Sequence, residues 1–480
     1  MNFIEMIYFW ARNVPHRPAI IQTEMVTTFQ GLADAIDAIG ERIERLNLNH
    51  NEPVAVRLTN PSFMIVTLFA LMRNGYSVAP VNAPMYPHLA GASIRNLIYD
   101  TEGQALSGGR NIRFDMSWLP SPGQKSNRTY RKISENDVSI ITFTSGSTGI
   151  PKPVVRSAAA LAQRLRASNI FTPGAHERVL ILPGLVSAWG FNATCDMLMP
   201  GRTACFAADN LAALSLINLF GIKAIVASAA QALSLAEFKT RNPGYRTDSL
   251  DAIIVGGGKI EPEGVARIRT TLCRNLINTY GSSESGVVGC TPFEVLGDRP
   301  GAVAFPWADL EVVDETDQPL PVGAEGKVRF RTPQLLENIK EFGPDQISGV
   351  RDGWFYTDDI GSLDNAGVLH LIGRSSDVIN RGGLSVSGTR IEELLKQMPE
   401  IVDAAACGVV GQSTLDEIWI AVVAAGGLDT EEIKQRLRQH PDVGIAPDEV
   451  FVIDQIPRGD LGKVQKHRLK ELLIDLKTGA

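Results

Sequence analysis

Through the first three quarters of the chain, short unbroken apolar runs alternate with segments whose apolar residues recur at helical spacing. Residues 53–58, 77–81, 178–182, 224–227 and 252–255 have the length and composition of buried strands, and 63–74 and 211–220 carry the helical pattern between such runs. This alternation predicts βαβ units and mainly parallel sheets covered by helices. Between Trp307 and Phe330 the character changes: Leu310-Glu311-Val312-Val313-Asp314 and Gly326-Lys327-Val328-Arg329-Phe330 flank a Pro/Gly-rich turn, which predicts a small antiparallel β subdomain. After Gly373-Arg374 the pattern restarts with short strands and two helical stretches, 388–397 and 429–439. The expected fold class is therefore α/β: a large N-terminal domain over residues 1–373, built of parallel helix-covered sheets plus the small β subdomain, and a small α+β C-terminal domain over 374–480. The stretch 111–136, rich in Ser, Pro, Asn and basic residues, reads as an exposed loop.

Composition narrows the class. With 480 residues the chain exceeds one ordinary core, and 44% apolar with 21% charged residues is the balance of a soluble globular protein rather than a disordered one. A formal charge of -7, with Lys and Arg spread along the chain, leaves no electrostatic footprint for nucleic acid or an anionic membrane. The five cysteines, Cys195, Cys205, Cys273, Cys290 and Cys407, contain no C-x-x-C pair, so they read as small buried apolar residues rather than zinc ligands or a disulfide framework. The N-terminal run carries Glu5 and lacks a basic leader, which predicts an amphipathic helix and not a signal peptide. The most apolar stretch, 63–72, is too short to span a bilayer. The expected location is the cytoplasm.

Candidate chemistry begins at Thr142-Phe143-Thr144-Ser145-Gly146-Ser147-Thr148-Gly149-Ile150-Pro151-Lys152, directly after the apolar run Val138-Ser139-Ile140-Ile141. Glycines let successive backbone N–H groups converge on an oxyanion, the hydroxyls of Thr144, Ser145, Ser147 and Thr148 add donors, and Lys152 adds a charge. It is not a Walker loop, because Ile150 and Pro151 separate the last glycine from Lys152, and no G-x-S-x-G nucleophile elbow occurs here or at Gly281-Ser282-Ser283-Glu284-Ser285. Further on, Asn278-Thr279-Tyr280-Gly281-Ser282-Ser283-Glu284, read as a loop, gathers an aromatic ring, hydroxyls and a carboxylate, a set able to stack on a purine and offer an oxygen to magnesium. Asp358-Asp359 follows the aromatic run Trp354-Phe355-Tyr356, with Gly373-Arg374 beyond it; a carboxylate can accept from both ribose hydroxyls, and an arginine can reinforce it. Pro457-Arg458-Gly459-Asp460-Leu461-Gly462-Lys463 delivers a lysine just before a helical stretch, 464–476.

Taken in order, these motifs resemble the adenylate-forming superfamily of acyl- and aryl-CoA synthetases, nonribosomal-peptide adenylation domains and firefly-type luciferases. The resemblance spans roughly residues 15–470. It implies that the loop from Thr144 to Lys152, with Gly146 and Gly149, holds the ATP phosphates. It further implies that Tyr280 stacks on adenine beside Asn278 and Gly281, that Ser283 lies near the α-phosphate, that Glu284 is the magnesium-linked carboxylate, and that Gly256-Gly257-Gly258 lines the adenine and the acyl pocket. Asp359 and Arg374 then bind ribose, and Lys463 is the adenylation lysine on a C-terminal domain that is mobile in the family. The implied cofactors and substrates are ATP, Mg2+, coenzyme A and a small-molecule carboxylic acid. The acid first attacks the α-phosphate and expels pyrophosphate; a thiol then attacks the acyl-adenylate and releases AMP. Charge builds up at phosphorus in the first step, where Lys463, magnesium on Glu284 and the loop donors would stabilise it.

The departures concern the acid and the moving parts. Pro153 stands where the phosphate loop commonly has glycine, Ser187 where the acyl-pocket segment often has histidine, Asp358 where a glycine is common, and Ser376 at the hinge position; Arg381-Gly382-Gly383 matches the segment presented to the thiol tunnel. Ser187, Trp189, Phe191 and Asn192 lie in a segment that lines the acid pocket in relatives, and no aspartate stands where amino-acid activators hold the substrate ammonium. The leading expectation is an acid–CoA ligase. Two alternatives stay open: a stand-alone adenylation enzyme loading the phosphopantetheine of a separate acyl carrier protein, and a catalytically weakened nucleotide-binding homologue.

Overall fold

The structure, a computed structural model, describes residues 3–101, 106–120, 138–145, 151–167, 177–258, 260, 262–284, 286–297, 302–304, 306, 308–342, 349–381, 384–410, 416–440, 443, 446–459 and 462–478. The chain divides into two compact units, one of residues 1–145, 150–297 and 331–355 and the other chiefly of 298–330 and 356–480.

The first unit holds two sheets. A six-stranded sheet runs Arg110–Arg113, Asn96–Tyr99, Val54–Arg57, Val78–Pro80, β1 (Ser139–Ser145) and β2 (Pro151–Ser157), parallel except for the closing antiparallel pair β1–β2. An eight-stranded sheet starts from its Val26–Thr28 edge through Pro18–Ile21, Thr203–Cys205, Arg178–Ile181 and Ala224–Ser228 to β3 (Ala252–Gly256), β4 (Leu276–Ser282) and β5 (Gly286–Pro292). Its centre is parallel and each edge is closed by an antiparallel strand. The continuous apolar runs thus became central parallel strands, which need both faces covered.

The covering helices follow from their sequence. Helix Pro61–Arg73 is apolar nearly all round and accordingly buried from Met64 to Met72; Asn60 caps it by accepting from the Ser62 and Phe63 N–H groups, with Pro61 in the first turn. It packs into one core with Ile36, Ile39 and Phe191, where Phe69 and Phe191 meet edge-to-face at 6.5 Å. Each such ring contributes on the order of 2–3 kcal/mol by leaving water.

In the second unit, Ala302–Ala304, β7 (Leu369–Arg374), β6 (Trp354–Leu363), Gly326–Arg331 and Asp309–Val313 form one sheet in that order. A separate three-stranded sheet joins β8 (Ile401–Val410) antiparallel to Asp416–Ala424, which pairs parallel with Glu449–Val452. One face of it packs Ile418, Ile420 and Val422 on Ile391, Leu395, Ile433 and Leu437; the other packs Ala405, Cys407 and Trp419 on Leu469 and Leu473 of the last helix.

Three local expectations change. The stretch 111–136 does not begin as an exposed loop: Arg110–Arg113 pairs parallel with Asn96–Tyr99 and Phe114 and Trp118 are buried, because apolar residues among the polar ones dock this segment on the sheet, while 121–136 lie outside the described residues. Residues 278–281 form the end of strand β4 rather than a loop: their polar spelling hides a ladder to β5, and Thr279 Oγ1 donates to Val255 O at 2.9 Å, so tertiary pairing overrides the weak local propensity. The last helix starts at Lys466, two residues later than its sequence pattern, because Val464 is held in a bridge to Arg458. All five cysteines are at least partly buried, no disulfide forms among the described residues, and no described helix is long and apolar enough to cross a membrane.

Candidate functional site

In the first unit one group of candidate residues lies where the parallel strands β3 and β4 end. Gly256, at the end of β3, pairs with Thr279 of β4, and a Cβ on Gly256 would stand 2.4 Å from Thr279 Oγ1 and 3.3 Å from the indole of Trp189. Only a glycine permits that approach. Gly257 (φ +75°) and Gly258 then run on as an exposed backbone ledge: a Cβ on the first would meet nothing within 4 Å, and on the second only Ala229 Cβ at 3.6 Å.

Trp189 reaches this ledge from the first turn of helix α1 (Ala188–Leu198). Ser187 caps the helix, accepting from Gly190 N–H at 3.0 Å and donating to Gly184 O at 2.8 Å. A Cβ on Gly190 would lie 2.3 Å from both the Pro183 and Gly184 carbonyl oxygens, so the helix start is pressed against the preceding turn and Trp189 is fixed with it. Of the four residues expected to line a pocket, Trp189 borders the glycine ledge and Asn192 is buried, accepting at 3.1 Å from Nη1 of the equally buried Arg156. Ser187 is a cap and Phe191 a core anchor, 2% exposed.

The β4–β5 hairpin carries the next group. Asn278 is buried and Tyr280, Ser283 and Glu284 are half-buried; a bulge between Tyr280 and Gly281 is tolerated because a Cβ on Gly281 would fall 2.2 Å from Gly286 O. Helix α2 (Pro333–Phe342) backs this hairpin, with Asn338 Nδ2 at 3.5 Å from Glu284 O and Gln334 against Gly286. Neither Gln334 nor Asn338 was singled out in the sequence; the available signal was two amides four residues apart on the apolar side of an otherwise amphipathic helix. At the phosphate-loop motif, Thr144 pairs with Lys152 and Ser145 with Pro151 across β1–β2, while Gly146, Ser147, Thr148 and Gly149 lie outside the described residues. Pro153 sits opposite Phe143 on the edge strand β2, where a missing N–H is tolerated.

In the second unit, Asp359 of β6 and Arg374 of β7 are direct cross-strand partners, with Arg374 Nε 3.4 Å from Asp359 Oδ1. The Asp359 side chain is 16% exposed and the Arg374 side chain 46%, so the pair presents its guanidinium outward. Lys463 is exposed at the tip of a loop closed on itself: Gly459 N–H donates to Lys463 O, Gly462 N–H to Gly459 O and Gln465 N–H to Pro457 O, each at 2.8 Å. Arg458, also not singled out, donates to Gly462 O at 2.7 Å and grips both oxygens of Asp403 on β8 at 2.7 and 2.8 Å. Lys466, opening helix α3 (Lys466–Thr478), binds Glu392 and the Ala406 carbonyl. Ser376 falls in the short 3-10 turn Ser375–Asp377, and Arg381 ends a strand paired with Leu384; Gly382 and Gly383 lie outside the described residues.

A family model for an AMP-binding enzyme matches residues 8–338. The chain belongs to the AMP-binding enzyme family. It is 27% identical to an indoleacetate–CoA ligase of Aromatoleum aromaticum over 98% of both chains, and 24% identical to a 2-succinylbenzoate–CoA ligase of Bacillus licheniformis over 96% of this chain and 98% of that one. Its fold is that of the O-succinylbenzoate coenzyme A synthetase of Bacillus subtilis solved with AMP, at a TM-score of 0.83, 20% identity and 98% coverage of both chains.

The residues of this AMP-binding enzyme suit the groups the family handles. Magnesium needs only one or two carboxylates when phosphate oxygens and waters complete its shell. Glu284 can supply one, and among the described residues no cluster of three His, Cys, Asp or Glu forms a self-sufficient metal cage. The bare backbone at Gly257 and Gly258 leaves a flat ligand room to approach.

Proposed function

We propose that this AMP-binding enzyme is an AMP-forming acid–thiol ligase, converting a carboxylic acid, ATP and coenzyme A into acyl-CoA, AMP and pyrophosphate through an acyl-adenylate. The observation that carries the reading is the Asp359–Arg374 cross-strand pair: a guanidinium-oriented carboxylate is suited to accept from both hydroxyls of a ribose. The acid–CoA ligases among its full-length relatives support a thiol acceptor.

In this reading Tyr280 stacks on adenine over the Gly257-Gly258 ledge, Asn278 and Gly281 shape that turn, and Ser283 donates near the α-phosphate. Glu284 holds magnesium, which when bound neutralises phosphate charge. The hairpin flanks Thr144, Ser145 and Lys152, with Gly146, Ser147, Thr148 and Gly149, hold the β- and γ-phosphates. Lys463 stabilises the charge that builds as the acid oxygen displaces pyrophosphate. The boundary at residues 373 and 374, beside Ser376, separates the mobile part that carries Lys463 from the remainder. Trp189 against Gly256 forms a flat apolar wall, which favours a compact ring-bearing acid.

The test is acid-dependent pyrophosphate release with a panel of aryl, arylacetic and short aliphatic acids, followed by coenzyme A or a phosphopantetheinylated carrier protein as acceptor. AMP and an acyl-CoA from a ring-bearing acid are expected. Thioester on the carrier alone would replace the coenzyme A assignment, and ATP binding without turnover of any acid would leave only a nucleotide-binding protein.

A further inference from the structure

Helix α2 places two amide side chains in the interior of the first unit, behind the hairpin that carries Glu284. Gln334 is 5% exposed and Asn338 1%, so neither is a surface residue by size or accident. They stand one helical turn apart and are buried with Leu335, while Thr332 caps the helix by accepting from Leu335 N–H at 3.1 Å. Helix α2 itself rests on β2 and on the helix Ala158–Ala167 that follows it.

The hydrogen-bond state of these amides is unusual. Neither Oε1 nor Nε2 of Gln334 has a partner among the described residues, nor does Oδ1 of Asn338, although all three atoms are shut off from solvent. Buried amides are nearly always satisfied, because leaving one unpaired forfeits its hydration with nothing in return. Leucine or methionine would fill either position without that cost, and the same helix uses leucine at 335. An amide kept there points to a second arrangement of the neighbouring backbone in which it is used.

That neighbour is the Glu284 loop. Gln334 Oε1 lies 2.8 Å from where a Cβ on Gly286 would be, and Gly286 has φ +78°, a conformation that combines with its missing side chain to let the amide touch the chain directly. At the other stem of the loop Gly281 is packed on Gly286 O and Val287. Asn338 Nδ2 reaches Glu284 O at 3.5 Å, the outer limit of a hydrogen bond. The loop therefore leaves the sheet at its last pair, Ser282 and Gly286, and is backed by amides in contact but weakly bonded. A displacement of a few tenths of an ångström at Glu284 toward α2 would shorten the Asn338 bond.

We infer that Gln334 and Asn338 are positioning residues whose buried amides take up the Glu284 loop when its carboxylate engages the magnesium of a bound nucleotide, so that bonds absent in the unliganded enzyme are made only in the metal-loaded one. The inference rests on the reading of Glu284 as the metal-facing carboxylate of a ligase. It gives the amides a role in metal affinity and none in holding the unliganded fold together.

The test uses Gln334→Met, which keeps length and volume and removes both polar atoms, with Asn338→Leu as a second variant. Melting temperature is measured for the full chain alone, with ATP in EDTA, and with ATP across a magnesium titration; pyrophosphate release then gives KM for magnesium–ATP and kcat separately. The expected result is an unliganded melting temperature equal to or above wild type, unchanged stabilisation by ATP in EDTA, and a half-saturating magnesium concentration raised about tenfold, which corresponds to roughly 1.4 kcal/mol, the worth of one added hydrogen bond. A lower unliganded melting temperature with an unaltered magnesium requirement would make the amides structural and overturn the inference, as would wild-type behaviour in every measurement. Failure of the wild-type protein itself to bind ATP would instead remove the ligase reading and this inference with it.

Discussion

A lysine contributes to phosphoryl chemistry only if its ammonium is exposed while its backbone is held, and Lys463 meets both conditions. Its side chain is exposed, and its carbonyl accepts from Gly459 within the loop. Replacing it by alanine is expected to lower acyl-adenylate formation by about 10²–10³-fold, the range for losing one preorganised electrostatic donor. Thioester formation from a supplied acyl-adenylate should stay within about threefold of wild type by the same scale. Pre-steady-state measurement of the two half-reactions checks this, and equal losses in both would refute the assignment. At this scale the sequence nominates residues whose chemistry is their own, such as Lys463, Glu284 and Asp359, and their roles stand as proposals for the kinetics to test. The sequence was silent where packing depends on a neighbour remote in the chain, as where Phe191 meets Phe69 edge-to-face, and it did not mark Ser187 as the cap of its own helix.

At the scale of elements, Arg458 ties the lysine-bearing segment to β8. The bidentate grip on Asp403 and the bond to Gly462 O come from one guanidinium, a geometry no other side chain reproduces. Arg458→Met is expected to reduce the adenylation rate about tenfold, the cost of a misplaced catalytic group, with KM for ATP little changed. It should move stability by less than about 1 kcal/mol, since the pair is partly exposed and screened. Steady-state kinetics beside a denaturant melt separates the two, and unaltered kcat would mean that the loop's backbone bonds suffice. The hydrophobic pattern identified most of the strands and helices named from it to within a residue or two, because buried parallel strands spell themselves as apolar runs. Strand β4 escaped it: Asn278, Thr279, Tyr280 and Gly281 are strand residues only because β3 and β5 flank them, and the bond from Thr279 to Val255 O replaces apolar packing. Helix α2 escaped in another way, since the spacing of Gln334 and Asn338 on its inward side carries no chemistry until the hairpin they back is seen.

Across the whole molecule, the cysteines link burial to alkaline stability in both units. Desolvation pushes the Cys205 thiol, on the strand Thr203–Cys205, up to about 12, and raises Cys290 on β5 and Cys407 on β8 to about 11 each, against an ordinary value of 9.0. A neutral thiol is favoured by the fold and a thiolate by the unfolded chain. The resulting stability is fully present below pH 9 and is lost as pH rises through the folded values toward 11–12. Cys205 gives the largest effect and can be isolated with Cys205→Ala, which removes one sulfur from a site with 0% exposure. At pH 8 the variant should be less stable than wild type by about 1–2 kcal/mol, the cost of a small cavity. By pH 11 wild type should have lost about 2–3 kcal/mol that the variant cannot lose, from a shift of roughly three pKa units partly expressed at that pH, so the order of stability reverses. Tyrosines and lysines titrate over the same range but cancel in the difference between the two proteins. Urea melts of both at pH 8, 9.5 and 11 measure that difference, and a gap that stays constant with pH would show that the Cys205 thiol ionises as readily in the folded protein as in the unfolded chain.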